Sequence, residues 1–164
     1  MKPPVFEYER PPNVRAALEA LSKHGGKAKL LAGGHSLIPQ LNLRAISPGR
    51  LIDIGRLTEL QYVTEDYGQL RIGALTTHNT IFRSAAVASG CPIMIEAYQH
   101  VANHSIRNHG TLGGNLCNAF RLTRVLRCGA RLTKSPLREK SAGYLLVAIH
   151  GRLGTPRHPL GGVE

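Results

Sequence analysis

Two runs of adjacent glycines govern what this chain can fold into. The first stands in "LLAGGHSLIP", Leu30 to Pro39, after an apolar run and before a proline; the second stands in "GTLGGN", Gly110 to Asn115. Glycine pairs admit positive φ and strip the backbone of side chains, so a ligand or another chain segment can come close to the amides. Each run alone has an ordinary structural meaning. Many strands end in a Gly-Gly turn, and "GTLGGN" by itself reads as a hairpin or bulge turn.

The flanking pattern gives the first run more weight. "FEYERP" reads as a short strand and "PPNVRAALEALSKHGG" as a helix, with Val14, Ala17, Leu18 and Leu21 on one stripe and Gly25 and Gly26 ending it. "KAKLLAGG" then reads as a buried strand, "SLIPQLNLRAI" as a short helix with Ser36 as N-cap, and "LIDI" as another buried strand. Strand, crossover helix and strand make a βαβ unit whose first turn is the Gly-Gly segment. In open parallel sheets the ligand crevice lies at the carboxyl ends of the strands, where this turn falls. After Leu57 the texture changes: "LQYV" and "QLRIGAL" flank the turn "TEDYG" as an antiparallel hairpin, and "THNTIFRS" and "PIMIEAYQHVAN" read as helices, the latter with Met94, Ala97, Tyr98 and Val101 on one face.

The chain of 164 residues is long enough to bury a core, and 42% hydrophobic with 19% charged residues describes a globular protein. Cys91, Cys117 and Cys128 are odd in number and show no CxxC spacing, which argues against a disulfide framework and fits a reducing cytoplasm. No apolar run reaches membrane-span length, and "MKPPVFEYER" lacks the core of a signal peptide. The formal charge of +11 raises nucleic acid as a partner, but its distribution weakens that inference: nine Lys/Arg against two acids lie after Phe120, and twelve against eight before Arg121. With 5% aromatics, no tryptophan and no stacking motif, only nonspecific phosphate attraction is supported, so no specific nucleic acid is expected.

A loop such as Ala32-Gly33-Gly34-His35-Ser36-Leu37 at a helix start offers converging N–H donors and a hydroxyl, chemistry suited to a phosphate or diphosphate. It is neither a Walker loop nor a GxGxxG fingerprint. "GTLGGN" repeats the chemistry with a threonine hydroxyl, two bare positions and an amide. His100 and His104 stand four apart on an expected helix with His109 nearby, yet no carboxylate or cysteine supports a metal there, so no metal site is expected. Arg107 reads as a surface or capping arginine, with reach to a phosphate or a partner subunit as the alternative. Asp53 reads as the acceptor of a turn hydrogen bond, with contact to a ligand at the crevice as the alternative. No triad or pair of carboxylates at telling spacing is present, and no catalytic side chain is expected.

Taken in order, "LLAGGHSLIPQLNLR", "LIDIGRL", "LRIGALTTHNTI" and "VANHSIRNHGTLGGNLCNA" resemble the flavin-binding (medium) subunit of the molybdenum hydroxylases, of the carbon monoxide dehydrogenase and xanthine dehydrogenase type, from about Pro4 to Ala119. The resemblance implies an α+β chain of the molybdopterin dehydrogenase flavin-binding (PCMH-type FAD) fold. A small N-terminal α/β (βαβ) subdomain would occupy residues 1–57, the start of an incomplete second α+β subdomain residues 58–119, and a divergent basic tail residues 120–164. It implies FAD as cofactor, its diphosphate gripped through the backbone by Ala32, Gly33, Gly34, His35, Ser36 and Leu37 and by Thr111, Leu112, Gly113, Gly114 and Asn115. His35 replaces a frequent glutamine, a change that a backbone grip tolerates. The expected role is an FAD-dependent oxidoreductase subunit carrying electrons from a small [2Fe-2S] iron–sulfur subunit to an external acceptor, with the molybdenum cofactor in a large partner subunit of a cytoplasmic hetero-oligomer.

The family pattern stops after Asn118-Ala119, where an acidic residue and a proline are expected and Phe120 stands instead. "FRLTRVLRCGARLTKSPLREK" suggests a frameshifted or misannotated continuation, with a divergent tail as the alternative; "YLLVAIHG" could form one strand there. Either way the site is expected to be half built, with weak or absent FAD retention by the isolated chain. Two further alternatives are a nonspecific nucleic-acid binder and a structural subunit with a decayed flavin site.

Overall fold

Asn13 starts the first helix because its extended backbone leaves the side-chain oxygen free to accept the Ala16 N–H at 2.8 Å. That helix, α1 (Val14–His24), ends at Gly25, whose φ of +50° suits a residue without Cβ. A computed structural model describes residues 2–118 apart from Gly68 and Ala102. The basic tail, the suspected frameshift, Phe120 and the expected strand in "YLLVAIHG" lie outside the described residues.

Ahead of α1 runs β1 (Glu7–Glu9); behind it follow β2 (Ala28–Leu31), α2 (Leu37–Asn42) and β3 (Arg50–Asp53). The three strands form one parallel sheet in the order β1-β3-β2, with Leu30 opposite Ile52 and Tyr8 opposite Leu51. The expected βαβ unit is therefore present, with β3 in the middle. Its central position explains its burial: Leu51 and Ile52 are 1% and 0% exposed, and each such side chain contributes about 1.5–3 kcal/mol. The expectation that β2 is buried needs correction. As an edge strand with one neighbour, it leaves Lys29 and Leu30 exposed. Helix α1 lies over the sheet through Val14, Ala17 and Leu21 of the expected stripe and through Ala20, which lies outside it and meets Ala28 and Ile52; Leu18 of the stripe joins neither cluster.

The second half holds an antiparallel hairpin, β4 (Val63–Asp66) and β5 (Gln69–Ile72), turning at exposed Tyr67 with φ +47°. Five short helices follow: α3 (His78–Phe82), α4 (Ala85–Gly90), α5 (Pro92–Gln99), α6 (His104–His109) and α7 (Leu112–Cys117). Short polar caps set these boundaries. Thr77, Ser84, Asn103 and Thr111 each accept an N–H from three residues on. Met94 and Tyr98 on α5 meet Leu70, Ile72, Ile81, Val87 and Leu112 in the main core, as their helical spacing predicts. Val101 joins the same core from beyond the end of α5 at Gln99, so the expected helical face of Met94, Ala97, Tyr98 and Val101 is met only in part. The two halves share apolar contacts, since Leu75 joins Ala17 and Leu57.

Two readings of the sequence are corrected here. "GTLGGN" is a helix start rather than a hairpin or bulge turn: Thr111 caps α7, and Leu112, 2% exposed, draws the first turn into the core. His100 and His104 do not share a helix, because α5 ends at Gln99 and α6 begins at His104. The i, i+4 geometry that would let both imidazoles face one ion is therefore absent.

Candidate nucleotide site

The first glycine run leaves β2 at the carboxyl edge of the sheet and turns into α2. Gly34 takes φ +75°, a left-handed conformation that side chains resist, and its carbonyl accepts the Ile38 N–H at 2.9 Å. Among the described residues the amide N–H groups of Ala32, Gly33, Gly34, His35, Ser36 and Leu37 donate to no backbone or side-chain acceptor. Ser36 precedes α2, but its backbone is already helical, at φ −105° and ψ −41°, and its hydroxyl makes no capping bond. The N-cap role read from the sequence is thus not filled, and the hydroxyl is exposed and available.

The second run is held quite differently. Leu112 N–H donates to Thr76 O at 3.0 Å and Gly113 N–H to Ala74 O at 2.8 Å; Gly114 N–H donates to the Thr111 hydroxyl and Asn115 N–H to the Thr111 carbonyl. Thr111 also bridges Thr77 in antiparallel fashion, with His78 N–H on Gly110 O at 2.9 Å. The four amides from Leu112 to Asn115 are therefore engaged within the fold. Gly113 is bare because Ala74 leaves no space: a Cβ there would lie 2.8 Å from the Ala74 carbonyl oxygen.

The two runs meet. A Cβ on Gly33 would stand 2.0 Å from the His109 carbonyl oxygen and 3.2 Å from the Gly110 Cα, and one on Gly114 would stand 3.9 Å from the Ala32 Cβ. The His35 and His109 rings, one from each side of the junction, have centroids 5.5 Å apart. Beside the junction lies an open cavity of about 260 Å³. Ala32 and Gly33 line it from the first run, Thr111 from the second, Asn108 and His109 from the residues just before the second, and Gly55 from the turn after β3. Gln61, Leu75 and Thr77 complete the wall. Leu112 and Gly113 are buried and neither lines the cavity. The cavity is smaller than the roughly 300–1,000 Å³ typical of small-molecule sites.

Several wall residues escaped the reading of the motifs. Gly55 could have been found by the rule that first located Gly33, since it follows the carboxyl end of β3. Asn108 and His109 sit directly before the second run. Gln61 carries no local signal; tertiary folding alone brings it there.

Supporting groups surround this wall. Asp53 accepts the Gly55 N–H at 2.9 Å, the turn bond expected of it, together with the Tyr8 hydroxyl and Arg10 Nη2 at 2.9 Å. Burial raises the Asp53 carboxyl, but hydrogen bonds from Tyr8, Gly55 and Arg10 outweigh it and hold the group below its ordinary value. His78 is 4% exposed beneath Gly110, 3.3 Å from the Tyr98 hydroxyl, and burial pushes it down to about 4. Arg107 on α6 donates to the Tyr98 carbonyl at 3.1 Å near the end of α5 and lies over Phe82 at the end of α3, so it ties three helices together.

A parallel three-stranded unit whose glycine turn docks on a second, hairpin-and-helix unit defines an FAD-binding module: residues 4–123 match the family of the FAD binding domain in molybdopterin dehydrogenase, and the chain belongs to that family. FAD is the cofactor of this domain. The chain is 42% identical over 118 residues to the carbon monoxide dehydrogenase medium chain of Hydrogenophaga pseudoflava, covering 72% of this chain and 41% of that one. To the caffeine dehydrogenase subunit beta of a Pseudomonas species it is 41% identical over 119 residues, covering 73% and 40%. A solved carbon monoxide dehydrogenase from Hydrogenophaga pseudoflava superposes with a TM-score of 0.69 at 43% identity, covering 71% of this chain and 40% of that one. The chain thus spans about two fifths of the length of these relatives. Among the described residues, no helix is long and apolar enough to cross a membrane.

The residues present suit FAD. A diphosphate needs unpaired N–H donors on an approachable main chain, and among the described residues the first run supplies such donors, bare of side chains at Gly33 and Gly34.

Proposed function

We infer that this chain holds the diphosphate of FAD between its two glycine runs and serves as the flavin subunit of a molybdenum hydroxylase. Donors would come from the amides of Ala32, Gly33, Gly34, His35, Ser36 and Leu37 and from the Ser36 hydroxyl. The second run, Thr111, Leu112, Gly113, Gly114 and Asn115, would supply the opposing wall. The observation that carries this reading is the contact of Gly33 with the His109–Gly110 backbone, which sets free donors beside a bare surface.

When bound, FAD accepts two electrons and releases them to an external oxidant. The protein's task is to orient it and exclude other chemistry. Electrons would arrive from an iron–sulfur subunit, and substrate would be oxidised at a molybdenum cofactor in a large subunit. Relatives named for carbon monoxide and for caffeine are equally similar to this chain, which supports a substrate choice made outside these residues.

A grip of three or four charge-assisted hydrogen bonds, at about 1.5–3 kcal/mol each before the entropic cost of binding, supports weak to moderate affinity. Titrating the 164-residue chain with FAD, read by flavin fluorescence, is expected to give a dissociation constant of about 1 μM to 1 mM, with ADP competing. No binding at millimolar FAD would defeat the reading. Co-expression with the large and small subunits should raise flavin occupancy.

A further inference from the structure

Besides Gly33, the cavity has a second glycine in its wall, at the Gly55 turn, which is clamped through both its N–H and its carbonyl. Gly55 N–H donates to Asp53 Oδ1 at 2.9 Å, while Gln61 Nε2 donates to Gly55 O at 3.0 Å. A Cβ at Gly55 would lie 3.1 Å from Asp53 Oδ1 and 3.4 Å from Ala32 O, so the turn also sits against the first glycine run. The other Asp53 oxygen, Oδ2, accepts from Tyr8 on β1 and from Arg10 just past the end of that strand.

We propose that Asp53 and Gln61 are positioning residues that hold the Gly55 turn as a wall for an uncharged part of the bound dinucleotide. The chemistry follows from what the turn has left to offer. Its N–H is already donated to Asp53, so it cannot grip a phosphate as the first run can; it presents a flat, bare main-chain surface suited to a sugar or ring. Asp53 is buried and its carboxylate is shared by three donors, which suits a role exerted through Gly55 rather than on the ligand directly. Gln61 is exposed, yet its amide turns inward to the Gly55 carbonyl. This inference rests on the reading that FAD is held here.

The test uses the full chain with FAD, ADP and inorganic pyrophosphate as probes, beside a thermal melt and amide exchange at Gly55. Asp53→Ala is expected to weaken FAD and ADP about tenfold and Gln61→Met about threefold, with pyrophosphate competition unchanged within about twofold. Asp53→Asn should recover most of the loss, because an amide oxygen still accepts the Gly55 N–H. Arg10→Met should lower the melting temperature yet leave FAD affinity within about twofold, because the Gly55 bond survives. Gly55 exchange should quicken in Asp53→Ala and stay slow in Asp53→Asn. Wild-type affinity in both Asp53→Ala and Gln61→Met overturns the inference while leaving FAD binding intact. Affinity that falls in step with melting temperature across all four variants, Arg10→Met included, or pyrophosphate weakened as much as ADP, overturns it as well. Failure of the unaltered chain to bind either nucleotide overturns this inference and the functional reading together.

Discussion

In the first glycine run the amides of Ala32 to Leu37 find no acceptor among the described residues; in the second, Leu112, Gly113, Gly114 and Asn115 all donate within the fold. The residue types are nearly the same: two glycines beside a hydroxyl at the start of a short helix. The difference lies in what each run leans on. The first leaves an edge strand and has solvent on one side, whereas the second is laced to the Ala74–His78 segment and drives Leu112 into the core. A bare backbone can therefore serve two ends. In one place it exposes donors, and in the other it lets two main chains approach closely. The first run keeps a row of unpaired donors among the described residues, chemistry suited to an anion, and the second gives that surface a rigid partner.

The largest effect should come from breaking the junction between them. Gly33→Ala places a methyl 2.0 Å from the His109 carbonyl oxygen, backbone that cannot swing aside, and should cost about 3 kcal/mol or more in a denaturant melt. FAD binding in a fluorescence titration should be lost with it. Next comes the acid sensitivity of the second run's support. Because His78 is depressed to about 4 in the folded chain, its contribution is complete above about pH 6.5 and is lost as pH falls from there towards 4, roughly 3 kcal/mol in all. Urea melts across that range should show a slope that flattens in His78→Gln. The Asp53 carboxyl, lowered rather than raised, adds its own loss only at more acidic pH, below the ordinary carboxylate value of 3.8.

Gly113→Ala sharpens the contrast. It should cost about 2 kcal/mol of stability through the Ala74 clash while leaving the first run's amides free, so FAD affinity should fall less than in Gly33→Ala. The smallest effects separate the two hydroxyls. Thr111→Val removes a cap on Gly114 and should cost about 1 kcal/mol, whereas Ser36→Ala removes no capping bond and should stay below about 0.5 kcal/mol in the same melt. Equal losses in this pair would mean that the two runs do not differ as described.

How much of this was legible in the sequence depends on the range of the forces involved. Helix α1, the βαβ unit, the parallel strands and the Met94-Tyr98 pair follow from periodicity and were readable. By contrast Ala20, outside the Val14-Ala17-Leu18-Leu21 stripe, and Val101, beyond the end of α5, are buried by packing. The α7 start was not, because two glycines within six residues argue against helix while the cap at Thr111 and the burial of Leu112 argue for it, and burial depends on distant partners. Helix α4 (Ala85–Gly90) lacks a pattern long enough to detect and is fixed by Ser84 and by Val87 in the core. At the site, both glycine runs were visible as motifs. Their different hydrogen bonding was not, because the acceptors at Ala74 and Thr76 lie far off in the chain. Gln61 reached the cavity for the same reason.

The seam at Gly33 is made of main chain on both sides, His109 carbonyl against Gly33 Cα. A damaged contact between side chains can often be restored by changing the partner, but a carbonyl oxygen is the same at every position and has no smaller alternative. A genetic search starting from a Gly33 substitution should therefore yield true revertants and few second-site suppressors at residue 109, whatever amino acid is tried there.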